Sequence, residues 1–305
     1  MRRLLTPAIL WLCLMSQALC EPTYTGEFPE GVPPPVASDV SKNPSVVGGE
    51  PTNDHRIVGV VFDTANERDR VCSGLYISAY RILTAAHCAC NARNIRISNT
   101  NYAIEAFVRA TVVSVFPGYD CSNPGYLPRG NDLALLAIAV GLPDGRGGST
   151  CGGYTLLPNI RKVTDWFPNR PVNISVAGYG FNGDRVGTRE EAIVTLNSML
   201  CISRIAMNMT CTPHAEFVAG NVPRRGVASD TCGGDSGGPA FFRMGESILP
   251  VGIVSRALPV KHPYSKESCG AGGIYTHLGR SDVIQWLASN DVPQESKCTG
   301  ALLTE

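Results

Sequence analysis

The stretch TCGGDSGGPAFF, residues 231–242, decides the fold. Five of the eight residues from Cys232 to Pro239 are Gly or Pro, which suits neither a helix nor a flat strand. Glycine belongs where backbone must approach something closely or adopt positive φ. Asp235 and Ser236 sit in the middle of this bare backbone. Glycines here would keep bulk away from an approaching carbonyl and let backbone N–H groups converge on a developing oxyanion. The natural donors are the amides of Gly234 and Ser236.

Two other stretches supply what such a serine needs. LTAAHC, residues 83–88, ends an apolar run in a histidine beside a cysteine. NDLALL, residues 131–136, sets one carboxylate beside an otherwise apolar strand, where it needs a partner. A serine hydroxyl is a weak nucleophile at its own pKa and needs a neutral imidazole as base. His87 offers that base. Asp132 offers the acceptor that fixes its tautomer and stabilises the imidazolium.

Composition points the same way. The chain has 305 residues, with Gly 32, Pro 22 and modest aromatics, favouring many short strands joined by turns. Apolar, β-branched runs recur at 57–62, 75–77, 95–97, 110–116, 133–140, 173–177, 192–196, 249–254 and 273–275. One helix is expected near the end, capped by Ser281, with Asp282 in its first turn and a stripe of Val283, Ile284, Trp286 and Leu287. The formal net charge of zero points away from nucleic acid and from anionic membranes.

Arg2 and Arg3 precede an apolar run to Met15, with small residues near Ala18 and Cys20. This pattern describes a secretory signal peptide over 1–20. Pro7 interrupts the run, which is short for a membrane span. Residues 21–45, rich in proline, read as an extended propeptide. In a secreted chain the 12 cysteines should pair. A cut after Cys20 leaves ten, enough for five bridges; a cut after Ala18 leaves eleven. Zinc is disfavoured, since Cys88-Ala89-Cys90 is a weak metal pattern.

TAAHC, NDLALL and GDSGGP, in the order His, Asp, Ser, resemble the serine endopeptidases of the chymotrypsin–trypsin family over about Val46 to Asn290. The resemblance implies an all-β fold of two packed six-stranded antiparallel β-barrels with a C-terminal helix, divided as 46–155 and 156–305. It implies a secreted trypsin-like hydrolase made as a zymogen, with the catalytic triad His87, Asp132 and Ser236. It also implies that cleavage frees an N-terminus, here in VVGGE at Val46, which turns inward to pair with Asp235. RIVG, residues 56–59, mimics such a site, but Ile57 precedes His87 by only 30 residues, against 41 for Val46. The bond before Val46 follows Ser45 rather than a basic residue, so a different, activating protease is expected.

By the same resemblance Asp230 sits at the base of the specificity pocket and selects Arg or Lys. Gly273 leaves that pocket open, Ser255 helps hold Asp132, and Ala257 narrows the rim. Arg256 stands where relatives carry an aromatic lining the neighbouring sub-sites, and is expected to disfavour apolar and basic residues there. The stretch 258–268 reads as an insertion that shapes access. Cys72–Cys88, Cys201–Cys211 and Cys232–Cys269 follow the family pattern. Of the remainder, Cys90–Cys121 and Cys151–Cys298 are preferred among three connectivities.

Asn173 and Asn208 open glycosylation sequons, the first in an apparent strand that disfavours its use. The loop Ile95 to Glu105, where relatives sometimes bind calcium, has Glu105 as its only carboxylate, so no metal and no other cofactor is expected. His55, His214, His262 and His277 read as surface or structural. The expected partners are protein or peptide substrates, met by a monomer. Two alternatives stand beside a protease cutting after Arg or Lys: one preferring small or apolar residues, and a silent relative acting as a binding or inhibitory module.

Overall fold

The computed structural model describes residues 46–292 apart from 79, 104, 106, 124–127, 140–171, 183–184, 203–209, 221–228, 245–246, 260–268 and 270. It is built almost wholly of antiparallel strands. The first barrel closes as β2-β3-β4-β7-β6-β5, from β2 (Ile57–Asp63), β3 (Arg70–Ser78), β4 (Arg81–Thr84), β5 (Arg93–Ser98), β6 (Phe107–Val115) and β7 (Ala134–Ile138). The second comprises β8 (Asn173–Gly178), β11 (Glu190–Ser198), β12 (Glu216–Ala219), β13 (Pro239–Met244), β14 (Ser247–Ala257) and β15 (Gly273–His277). Their order is β11-β12-β15-β14-β13-β8, and a β11–β8 pairing closes the ring. A hairpin of β9 (Phe181–Asn182) and β10 (Arg185–Val186) stands apart. Among the described residues no helix is long and apolar enough to cross a membrane.

The chain does not enter through the first barrel. Its opening strand β1 (Glu50–Pro51) pairs with β11, Glu50 opposite Glu191. Val46 is fully buried among Val176, Phe217, Ala219 and Tyr275, all second-barrel residues. Only then does β2 begin the first barrel, so RIVG is the start of a core strand.

β2 also explains why IVGVVF is continuously apolar where a half-solvated strand would alternate. Ile57 and Val61 pack with Tyr179, Phe241 and Ile253 from the second barrel. Val58, Val60 and Phe62, on the opposite face, pack with Ile82, Ile97 and Leu136 of the first. Both faces of the strand are therefore buried. Gly59 and Gly74 sit where neighbours press close: a Cβ on Gly74 would lie 2.8 Å from Ile82 Cγ2.

Two helices are described, the single turn α1 (Ala86–Ala89) and the C-terminal α2 (Ser281–Ser289). The start of α2 differs from expectation. Ser281 is already helical, Arg280 holds the cap position, and no side chain caps the helix. Asp282 supplies the polar end contact instead: its carboxylate accepts the Val283 amide (3.0 Å) and Arg280 Nε (3.0 Å). Val283, Trp286 and Leu287 form the buried stripe, and Ile284 is half-buried. Trp286 meets Phe116 edge-on at 5.2 Å and donates from Nε1 to Ser114 Oγ at 2.9 Å, docking the last helix on the first barrel.

Candidate active site

The Gly-rich stretch lies where β13 begins, against the first barrel. Ser73, on β3, grips it twice. Its amide donates to Ser236 O (2.8 Å) and its hydroxyl to Gly234 O (2.9 Å). Two of the glycines are required by this packing and not by an incoming carbonyl. A Cβ on Gly237 (φ +84°) would lie 2.1 Å from Thr84 Oγ1 and 2.3 Å from Ser73 O; one on Gly238 would lie 2.2 Å from Ala177 O. Gly233 behaves differently: a Cβ there would meet nothing within 4 Å. Gly234 holds φ +91°, a conformation that costs a side chain free energy. Among the described residues neither the Gly234 nor the Ser236 amide donates to a protein acceptor.

His87 sits on α1, directly after β4, and Asp132 directly before β7. β4 and β7 are paired, Thr84 opposite Ala134, which brings the two together. Asp132 engages the histidine through both oxygens: Oδ1 accepts the His87 amide (3.0 Å) and Oδ2 contacts Nδ1 (2.8 Å). Ser255 Oγ donates to the same Oδ2 at 2.7 Å. Asp132 is 2 % exposed and His87 37 %, so the carboxylate is sealed and the imidazole presented. Partial burial pulls the His87 pKa down, and the Asp132 carboxylate more than reverses this, holding it above the ordinary value. Burial would raise Asp132, but His87 and Ser255 hold it below the usual carboxylate range.

Asp230 is fully buried. Its Oδ1 accepts the Thr231 amide (2.8 Å) and Oδ2 the Gly272 amide (2.9 Å), while its own amide donates to Val47 O (3.0 Å). The Tyr275 hydroxyl is driven well above its usual pKa by burial, with a further push from Asp230. Gly273 lies close by: a Cβ there would meet Thr231 Oγ1 at 2.9 Å and Tyr275 OH at 3.1 Å. Ala257, exposed, pairs with Gly273 across the β14–β15 ladder.

The Val46 amide donates to Glu190 Oε2 at 3.2 Å. Asp235 accepts the amides of Gly180 (2.7 Å) and Cys232 (2.8 Å). Burial pushes the Asp235 pKa well up, and neighbouring Asp230 and Glu190 add to the rise. Glu190 carried no sequence signal; one acid in a charged pair beginning a strand looks solvated, yet it is buried.

Arg256 departs from the sequence expectation. Its guanidinium forks onto buried Glu216, Nη1 to Oε1 at 2.7 Å and Nη2 to Oε2 at 2.9 Å, so it is engaged by a carboxylate and does not line a sub-site as a bare cation. A charged side chain beside a buried acid lowers its energy by pairing. Glu216 was not anticipated. Arg189 was also missed. It is 1 % exposed and donates to Thr52 O, Asn99 Oδ1 and Asn101 Oδ1, placing a guanidinium against the loop 95–105.

The described disulfides are Cys72–Cys88, Cys90–Cys121, Cys201–Cys211 and Cys232–Cys269. Cys72 and Cys88 lie near His87 as a possible ligand cluster, but their sulfurs are bonded to each other. Cys151, Cys298, Asn208, His262 and most of 258–268 lie outside the described residues. Asn173, the first residue of β8, is exposed. His214 is exposed and His55 half-buried, whereas His277 is buried and held neutral, its pKa lowered to about 4 by burial and by Arg280.

The trypsin family model matches residues 46–287, the span of both barrels. The chain belongs to the trypsin family. It is 26% identical over 276 residues to vitamin K-dependent protein C of Mus musculus, covering 82% of this chain and 53% of that protein. It is 29% identical over 260 residues to a trypsin-like protease of Streptomyces glaucescens, covering 80% and 82%. It is 25% identical over 285 residues to spermosin of Halocynthia roretzi, covering 87% and 67%. The chain thus spans about half the length of the protein C relatives. The solved structure of HL collagenase shares the fold, with TM-score 0.56 at 18% identity over 80% of this chain and 98% of that one.

Proposed function

We propose that the chain is a secreted serine endopeptidase that hydrolyses peptide bonds after Arg or Lys through an acyl-enzyme. The observation that carries this reading is the two-oxygen grip of sealed Asp132 on His87, with Ser255 completing the carboxylate's partners. Held so, the imidazole keeps Nδ1 protonated and Nε2 free to take the Ser236 proton as Oγ attacks the scissile carbonyl. The oxyanion is received by the Gly234 and Ser236 amides, each such donor being worth about 3 kcal/mol in comparable sites. His87 then returns the proton to the leaving amine, and a second cycle with water frees the acid. Buried Asp230 supports a basic residue at the cleaved position, because a guanidinium or ammonium would answer its charge.

Residues 1–20 act as the signal peptide and 21–45 as the propeptide. Cutting before Val46 converts a backbone amide into an ammonium. The buried acids Glu190 and Asp235, with Asp230 nearby, have reason to receive it: the cation offsets the burial and the neighbouring negative charge that raise the Asp235 pKa. We assign Asp235 as its ion-pair partner, with Glu190 adding a second acid.

The test is a peptide-library cleavage profile of the protein with Val46 as its free N-terminus, beside Ser236→Ala. Cleavage after Arg or Lys is expected, falling about 10⁶-fold in the variant together with loss of fluorophosphonate labelling. Cleavage after small residues would overturn the assignment of Asp230. No cleavage and no labelling from the folded protein would overturn the peptidase reading in favour of a binding module.

A further inference from the structure

Close to Asp132 in the chain fold, three segments meet at one buried carboxylate. Glu216, the first residue of β12, has no side-chain exposure. Besides the fork from Arg256, its Oε1 accepts the Gly130 amide (2.9 Å) and its Oε2 the Thr212 amide (2.7 Å). Arg256 Nη2 also donates to Thr210 O (2.7 Å), and Nη1 reaches Ser255 Oγ at 3.3 Å.

The pair therefore touches the triad by two routes. One runs through the Gly130 backbone, two residues before Asp132. The other runs through Ser255, whose hydroxyl donates to Asp132 Oδ2 at 2.7 Å. A buried glutamate alone would be costly, and the bidentate fork with two backbone donors satisfies it. Neither member could be lost without leaving the other's charge unbalanced near the triad.

We propose that Glu216 and Arg256 form a positioning couple for the triad: together they fix the Asp132 loop and its hydroxyl donor, and they cancel within themselves the charge that either alone would impose on His87. This rests on the reading of His87 as the general base. The charged groups that act on the imidazole are Asp132, which favours its protonated form, and Arg70 and Arg256, which disfavour it; Tyr119, near Asp132, is kept neutral by burial and by that carboxylate. Glu216 carries the opposite charge and is bound to the Arg256 guanidinium at 2.7 and 2.9 Å.

The couple predicts shifts of opposite sign. Arg256→Gln leaves the Glu216 anion unbalanced and should raise the His87 pKa by about half to one unit; Glu216→Gln leaves the cation and should lower it by a similar amount. The double variant should return close to the parent. The readout is an NMR titration of histidine imidazoles in the full-length chain, His87 being assigned by its loss in His87→Ala. Mere loosening of Asp132 would lower the pKa in every variant, so shifts of one sign, or none, would overturn the proposal. Should Glu216→Gln fail to fold, Arg256→Lys supplies the contrast: it keeps the charge and loses the fork, so the pKa should hold while kcat/KM falls about tenfold. A shift in Arg256→Lys as large as in Arg256→Gln would overturn the charge-cancelling role. The titration needs no turnover. A parent that cleaves nothing yet shows the opposed shifts counts against the peptidase reading alone.

Discussion

The two barrels bury very different things. In the first, the fully buried residues are apolar or small and polar, and Asp132 is the single buried acid or base among those described. The second buries Glu190, Glu216, Asp230, Asp235 and His277, and Arg189 just before β11. Interior charge is retained only where something answers it. The first barrel thus serves as a stiff frame that carries His87 and Asp132 on the ends of paired strands. On the function proposed above, the second carries the charges that meet substrate, the new N-terminus and the rear of the triad.

The sharpest way to break this division is to remove the one buried acid of the first barrel. Asp132→Asn should keep the fold and lower kcat about 10⁴-fold, the size of loss that follows amidation of a triad aspartate. Steady-state kinetics with a circular-dichroism check would measure it, and a loss under tenfold would mean that His87 does not depend on Asp132. Asp230→Ser, the corresponding change in the second barrel, should lower kcat/KM about 10⁴-fold for Arg and Lys substrates while leaving the rate of fluorophosphonate labelling nearly unchanged. Equal losses in both assays would make Asp230 structural.

Smaller effects sharpen the contrast. The activity of the parent should rise with pH along a limb above the ordinary imidazole value, because Asp132 holds the His87 pKa up. A limb below that value would contradict the Asp132 contact. The second barrel should account for acid lability through His277. Its folded pKa of about 4 lies below the unfolded value near 6.5, so the unfolded chain takes up the proton first. Stability is then fully present above about pH 6.5 and falls as pH drops toward 4, by about 3 kcal/mol. His277→Gln should flatten that part of the pH–stability curve, measured by urea unfolding at pH 7 and 4.5. The smallest effect is at the junction of helix and first barrel. Ser114→Ala should cost about 1 kcal/mol by removing the acceptor for Trp286 Nε1.

Much of the fold was legible in the chain because strands buried on one or both faces write their burial as apolar runs. β2, β5, β6, β8, β11, β14 and β15 all fall on such runs. β4 leads into LTAAHC and was legible there, whereas β12, β13 and the two-residue β1, β9 and β10 carry no such run. β12 has four residues, and β13 begins at Pro239 within the Gly-rich motif, which reads as a turn. The site was legible where chemistry forces rare residue types into short motifs. His87, Asp132 and Ser236 could be picked out before their neighbours were known.

The sequence by itself determined the chemistry available: one imidazole, one carboxylate and one hydroxyl in three motifs, a carboxylate at Asp230, and cysteines that can pair. Tertiary structure alone decided where the charges are spent. Arg256 finds Glu216 40 residues away, the Val46 nitrogen finds Glu190 144 residues away, and Ser73 meets the Gly-rich stretch 161 residues on. Gly237 and Gly238 are glycines because other strands press against them, which no local pattern reveals. A residue type fixes what a side chain can donate or accept. Only its folded neighbours fix whether that capacity faces a substrate or is already taken.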